Sequence, residues 1–315
     1  MTPSPHAAVW ISHPECAAHE IEPGHPESPQ RLQAIRDRLI ASGLDALLVH
    51  EAAPCATREQ LLRVHDAAYV DTLLAADATA GPVRIDADTA LGPRTLAAAL
   101  RAAGASILGV DLVLEGRADL AFCGVRPPGH HAERARAMGF CFFNNVAVGA
   151  AHALARGLSR IAILDFDLHY GNGTADIFRS DPRVTLLSTY QHPLYPGWTG
   201  APDAPNLVDV PLPAHSGGTA FRSAVANHWL PALEQQRPEL ILVSAGFDAH
   251  QDDPLGDLRL QADDYGWIGS VIRDVAQECC EGRVVATLEG GYDLHALARS
   301  VERFLQPFLG YGTPL

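Results

Sequence analysis

Four short apolar runs in this chain each stop abruptly at a cluster of polar residues. Leu120–Cys123 leads into Arg126-Pro127-Pro128-Gly129-His130-His131, and Ile161–Asp165 opens Asp165-Phe166-Asp167-Leu168-His169. Residues 240–244 lead into Ser244-Ala245-Gly246-Phe247-Asp248, and Val284–Leu288 into Glu289-Gly290-Gly291-Tyr292-Asp293. Runs of four or five residues suit buried strands better than helices. Segments of helical period separate them. Strand–helix alternation of this kind predicts a parallel sheet covered on both faces, an α/β fold. In open α/β sheets ligands bind beyond the carboxyl ends of the strands. The four polar clusters are therefore expected to converge on one crevice.

The remaining expectations follow the same signals. Strands are predicted at 7–11, 184–188 and 207–210. Helices are predicted from Ser28-Pro29 to Gly43, with Ser28 as N-cap, and at 66–76, 95–115, 145–156, 219–235, 263–280 and 294–309. Thr57-Arg58-Glu59-Gln60 has the form of a capping box. The stretch 192–215 is rich in proline and glycine and reads as a long loop, a place where function often sits. With no repeat, low-complexity tract or linker, residues 1–315 are expected to form a single domain.

Acidic residues outnumber basic ones, 37 against 23, for a net charge of −14. That disfavours direct nucleic-acid or anionic-membrane binding and suits a cationic substrate. No eighteen-residue window is continuously apolar, so no membrane span is expected. The six cysteines form no Cys-x-x-Cys pair, and Met1–His6 lacks a basic region or a signal-length apolar stretch. Reduced thiols and a cytoplasmic address are the expectation.

In an extended strand Asp165, Asp167 and His169 share a face. Three polar groups there are costly to bury without a partner, and a divalent metal would supply one. Asp167, His169 and Asp248 make a one-imidazole, two-carboxylate set of the zinc type, with room for water and a substrate oxygen. Taken singly, the segments also fit a hydrogen-bonded strand end and an N-cap at Asp248. His130 and His131 follow a Pro-Pro-Gly turn, and such a pair can supply a general base and an orienting or cationic companion. Asp165 is free to hold one imidazole and Asn172 the other. Tyr292 on its glycine turn can donate to an oxyanion. Phe140, beside Gly139, can line a channel, while Cys141 reads as a buried structural thiol.

Assembled in order, the segments resemble the histone deacetylase superfamily, specifically bacterial deacetylases similar to the class II enzymes. The matching pieces are His25-Pro26-Glu27-Ser28-Pro29-Gln30-Arg31, 126–131, 138–145, 165–174, 244–248, Asp253-Pro254-Leu255-Gly256 and 289–293. The resemblance implies a single-domain arginase–deacetylase fold with an eight-stranded parallel sheet. It implies zinc on Asp167, His169 and Asp248, with His131 as general base and acid and His130 as companion. Tyr292 would polarise the amide carbonyl, Phe140 and Tyr195 would flank a tunnel, and Leu255 would face the substrate. Potassium is implied near Asp165, Asp167, His169, Ser188 and Thr189, and a second monovalent ion near Phe178, Asp181 and Val184.

The implied reaction is removal of acetyl or related acyl groups from lysine-like amines, in an acetylated protein, a peptide or a small acylated amine. A homo-oligomer is compatible with all of this. Two positions depart from the usual pattern. Tyr170 replaces a second histidine, and Trp198 interrupts Pro-Gly-Thr-Gly. Three rival activities would each want something different of the sequence. An acetylpolyamine amidohydrolase would want an acidic residue where Leu255 stands, unless Glu20 or Glu22 substitutes. A two-metal ureohydrolase would want a carboxylate at Gly171. A non-catalytic acyl-lysine reader would not need the full set of ligands, histidines and tyrosine.

Overall fold

The short apolar runs become the middle of one sheet. The computed structural model describes residues 7–76, 81–197 and 204–311. Its strands are Ala8–Ser12 (β1), Leu48–Ala52 (β2), Val83–Arg84 (β3), Ala90–Leu91 (β4), Leu120–Cys123 (β5), Ile161–Asp165 (β6), Val184–Gln191 (β7), Leu207–Leu212 (β8), Leu240–Ala245 (β9) and Val284–Leu288 (β10). Eight pair in the order β2-β1-β5-β10-β9-β6-β7-β8, every neighbouring pair parallel. Among the described residues β3 and β4 form a separate antiparallel pair. Strands β5, β10, β9 and β6 are adjacent, and all of their residues are buried. Burial on both faces is why they read as unbroken apolar runs.

Helices cover both faces. Ala121 of β5 lies against Gly109 in the helix Thr95–Leu114, while its neighbour Phe122 turns to Phe304 in the helix Leu294–Leu305. Helix Thr95–Leu114 is long and apolar enough to cross a membrane, but two-thirds of it is buried inside the protein. Its apolar composition is that of a core helix.

Register brings the site together. Asp165 pairs with Ser244, Leu288 with Ala245, and Thr287 with Cys123, so four central strands end at nearly one height. The four polar clusters leave the sheet there side by side.

Several expected boundaries move, each for a local reason. The eighth strand, β2, escapes the sequence pattern because Leu48-Val49-His50-Glu51-Ala52 lies at an exposed sheet edge and mixes polar with apolar residues. Strands β7 and β8 run beyond 188 and 210. The helix expected at 219–235 is three pieces, Gly218–Ala224, a π turn Val225–Trp229, and Leu230–Gln236. Pro231 has no N–H for the carbonyl one turn back. Pro307 likewise ends the last helix at Leu305 and leaves a 3₁₀ turn, Gln306–Leu309. Ser28 is not a cap: the helix Gln30–Ser42 begins after Pro29 without a side-chain cap bond. Thr57 and Gln60 do form the capping box, over the single turn Arg58–Leu61. The short helices Pro14–Ala18 and Asn172–Phe178 and the β3–β4 hairpin carried no clear signal. Met1–His6 and Trp198 lie outside the described residues.

Candidate active site

Strand β6 ends at Asp165, so Asp167 and His169 are presented by the following loop rather than by an extended strand. Alternation nevertheless persists. Phe166 and Leu168 turn into the core, where Phe166 packs on Phe247 with ring centres 5.8 Å apart. Asp165 and Asp167 turn the other way and are buried, and His169 is partly exposed. Backbone N–H groups fix the two carboxylates facing His169. Asp167 Oδ2 accepts from Gly290 at 2.9 Å and Oδ1 from His169 at 2.9 Å, while Asp248 Oδ1 accepts from Leu168 at 2.8 Å. Asp248 caps no helix.

His169 Nδ1 then lies 3.2 Å from Asp167 Oδ1 and 3.1 Å from Asp248 Oδ2. One ligand atom from each of the three residues falls within a 4.8 Å cluster. Zinc bonds of about 2.0–2.1 Å in a tetrahedron place neighbouring ligand atoms roughly 3.3 Å apart, close to both distances. Burial, and then the charge of Asp167, raise the Asp248 carboxyl above its usual range. A shared divalent cation would relieve that repulsion, so the donor set and spacing fit zinc.

The histidines occupy different electrostatic positions. His130 Nδ1 lies 3.0 Å from Asp165 Oδ2, and Nε2 lies 3.7 Å from Asp167 Oδ1. Burial alone would lower the His130 pKa, but Asp167 and Asp165 outweigh it and hold it well above the usual value. His131 Nδ1 instead meets the neutral amide oxygen of Asn172 at 2.8 Å. Burial, then the neighbouring His130 and His169, push His131 well below the usual range. The two ring centres are 4.0 Å apart, one imidazole paired with a carboxylate and the other with a neutral amide.

Side chains converge around this pair. Tyr195, half-exposed, packs its ring 5.2 Å from His131 and 6.1 Å from His169. Phe140 lies 6.0 Å from Tyr292, again between ring centres. Burial raises the Tyr292 phenol well above its usual pKa, and Asp248 and Asp167 add to that. Gly139 and Phe140 both have positive φ, 56° and 66°, at the tip of a turn closed by Met138 and Cys141. A Cβ on Gly139 would come within 2.5 Å of the His131 ring, so glycine lets the turn lie on that imidazole. Phe140, strained for a side chain of its size, is held by its N–H on Thr89 Oγ1 at 3.0 Å. Cys141 is buried and its thiol is pushed up by burial, as a structural cysteine would be.

Ser188 lies beside Asp165 across β6–β7, and its buried hydroxyl has no hydrogen-bond partner; Thr189 is buried next to it. An unfilled oxygen beside a carboxylate suits a monovalent cation. The second implied ion does not fit. The carbonyls of Phe178, Asp181 and Val184 all accept from one nitrogen, Asn206 Nδ2, at 2.8, 3.2 and 2.9 Å. The chain fills that position with its own amide. Tyr170 is buried and packs on Tyr190, with ring centres 4.7 Å apart. Glu22 pairs with Arg84 at the surface, 3.5 Å apart.

Sequence reasoning missed the residues that hold the loops. Glu289 reaches back to the histidine loop, its Oε2 accepting from Gly129 at 2.6 Å and from His130 at 3.2 Å. Arg31 donates to the carbonyls of Glu289 at 2.5 Å and Gly291 at 2.6 Å. Glu27 pairs with Arg126, Arg31 and His19. Their signal was the buried charge inside matched motifs.

The Histone deacetylase domain model matches residues 25–307. A histone deacetylase-like amidohydrolase of Pseudomonas aeruginosa is 40% identical, over 91% of this chain and 77% of its own length. A probable deacetylase of Archaeoglobus fulgidus is 37% identical, over 90% of this chain and 81% of its own. The human polyamine deacetylase HDAC10 is 37% identical, over 96% of this chain and 46% of its own. The crystal structure of the HDA15 HD domain superposes with a TM-score of 0.91 at 31% identity, covering 99% of this chain and 91% of that one.

Proposed function

The chain belongs to the histone deacetylase family, and from that premise we propose a zinc-dependent deacetylase acting on acetylated lysine-like amines, acetyl-lysine in proteins or peptides above all. The observation that carries this reading is the meeting of Asp167, His169 and Asp248 beside His131, whose ring centre lies 5.8 Å from that of His169. Zinc on those three residues would act as a Lewis acid on the amide carbonyl and lower the pKa of an attacking water.

The side chains divide the rest of the work. Glu133 Oε1 accepts from Asn172 Nδ2 at 2.8 Å, which turns the amide oxygen toward His131. That oxygen only accepts, so His131 carries its proton on Nδ1 and offers Nε2 as base. Nε2 takes a proton from the attacking water and gives it to the leaving amine. Tyr292 donates to the carbonyl oxygen as charge gathers there. His130, paired with Asp165, is held toward its charged form and supplies positive charge beside the site. Phe140 and Tyr195 flank the lysine stem, with Leu255 near the mouth. Potassium is proposed on Asp165, Ser188 and Thr189 with the backbone of Asp167 and His169.

A side chain at 171 would run into Asp165 Oδ2 at 2.4 Å, which leaves no space for the carboxylate a ureohydrolase would want. Acetylpolyamine hydrolysis is the second reading, favoured by the polyamine-deacetylase relative. Against it, Leu255 offers no charge to a second ammonium. A cytoplasmic location is part of the proposal, and the six cysteines are free thiols. The deciding experiment is a turnover screen at defined zinc over acetyl-lysine peptides, longer acyl-lysines and acetylpolyamines. Faster polyamine cleavage would reverse the order, and no turnover of any acylamine would end the proposal.

A further inference from the structure

We propose that Asp253 is a positioning residue for this hydrolysis: one buried carboxylate sets both the main chain that aims Tyr292 and the loop that carries Leu255. The inference rests on the deacetylase reading above. Asp253 Oδ2 accepts from the N–H of Tyr292 at 2.7 Å and of Asp293 at 3.4 Å, and Oδ1 accepts from the N–H of Leu255 at 3.0 Å. The residue is 6% exposed, and among the described residues its partners are these backbone N–H groups, with no arginine or histidine paired to it. A carboxylate is costly to bury with backbone N–H groups as its only donors, unless those groups must be fixed.

Helix capping does not account for it. Asp293 already caps the last helix, accepting from Ala296 at 2.8 Å. The run 289–293 is instead clamped on two sides. Arg31 holds the carbonyls of Glu289 and Gly291 and places its guanidinium 4.9 Å from the Tyr292 ring centre. Asp253 holds the N–H groups that follow. With both in place, only the side-chain torsions of Tyr292 remain to direct its hydroxyl, and a displacement of about 1 Å at such a group can cost on the order of 10²-fold in rate.

Two substitutions separate this role from simple stabilisation. Asp253→Asn keeps one acceptor oxygen, enough for the N–H groups of 292 and 293, and gives up Leu255. Its kcat on an acetyl-lysine peptide should stay within about threefold of wild type while KM rises. Asp253→Ala releases both segments, and kcat should fall about 10- to 100-fold with zinc content unchanged. Placed on Tyr292→Phe, Asp253→Ala should cost less than about twofold more, because no hydroxyl is left to misplace. Equal kcat losses in the two single variants, loss of zinc, or the full alanine penalty in the Tyr292→Phe background would overturn the assignment. If Asp253→Ala fails to fold, the split between kcat and KM in Asp253→Asn decides alone: a kcat loss beyond threefold, or an unchanged KM, would overturn it. A wild-type protein inactive on every acylamine would instead count against the deacetylase reading.

Discussion

His131 donates from Nδ1 to the amide oxygen of Asn172 at 2.8 Å, one residue after a histidine that meets a carboxylate. A neutral partner orients the ring without stabilising its charged form. Asn172→Asp would put an opposite charge there and raise the His131 pKa. Because a base works deprotonated, the acid limb of kcat/KM should move to higher pH. A pH–rate profile that superposes on wild type would remove His131 from the role of base.

Ligand and base should separate by metal content. Asp248→Asn weakens the donor set, so both bound zinc and turnover should fall. His131→Ala should abolish nearly all turnover and keep zinc near one per chain. Metal analysis beside activity checks both, and zinc loss in His131→Ala would mean the two roles were confused. Chelation should silence wild type, with zinc restoring it.

Tyr292→Phe removes one hydroxyl donor. The expected loss is on the order of 10²–10³ in kcat, the size seen for one oxyanion donor. KM should change far less, since the bond strengthens only as charge reaches the oxygen. More than half of wild-type activity in that variant would reject the role.

The core of the sheet and the centre of the site were both readable because burial leaves a plain pattern. Strands β5, β6, β9 and β10 are apolar throughout and end in the clusters that meet. Edge strand β2 was hidden because half of it faces water, and only the family resemblance supplied the count of eight. Asp253 and Glu289 were missed as loop clamps for another reason. Apart from Leu255, the backbone N–H groups they hold are far away in sequence, which no spacing encodes. Asn206 illustrates the same limit. The resemblance implied an ion near Phe178, Asp181 and Val184, whose carbonyls the fold gives to the Asn206 amide.

In the proposed reading Leu255 lies at the far end of the substrate, where polyamine selectivity would want an acidic side chain, and Oδ1 of Asp253 accepts from its N–H. Leu255→Glu should raise kcat/KM for an acetylated polyamine by about tenfold relative to an acetyl-lysine peptide, about the ratio that 1.4 kcal/mol gives. The comparison needs both substrates at two salt concentrations, because an ion pair at the mouth weakens with screening. An unchanged ratio would place Leu255 away from the substrate's far end.

Glu27 is fully buried between Arg126, Arg31 and His19. Burial works to raise its carboxyl, but Arg126, His19 and Arg31 outweigh that and hold it well below the usual range. A depressed folded-state pKa means the network stabilises at every pH above the unfolded carboxyl, about 4.3, and is lost as pH falls from there toward the folded value. Glu27→Gln should therefore cost about 3–5 kcal/mol at pH 7, since it leaves two guanidinium groups without their counter-charge. Below about pH 4 the gap between variant and wild type should narrow, because acid progressively does to Glu27 what the substitution has done already. Urea denaturation of both proteins at neutral and acid pH measures that gap. A gap of constant size across the range would show that Glu27 acts through shape rather than charge.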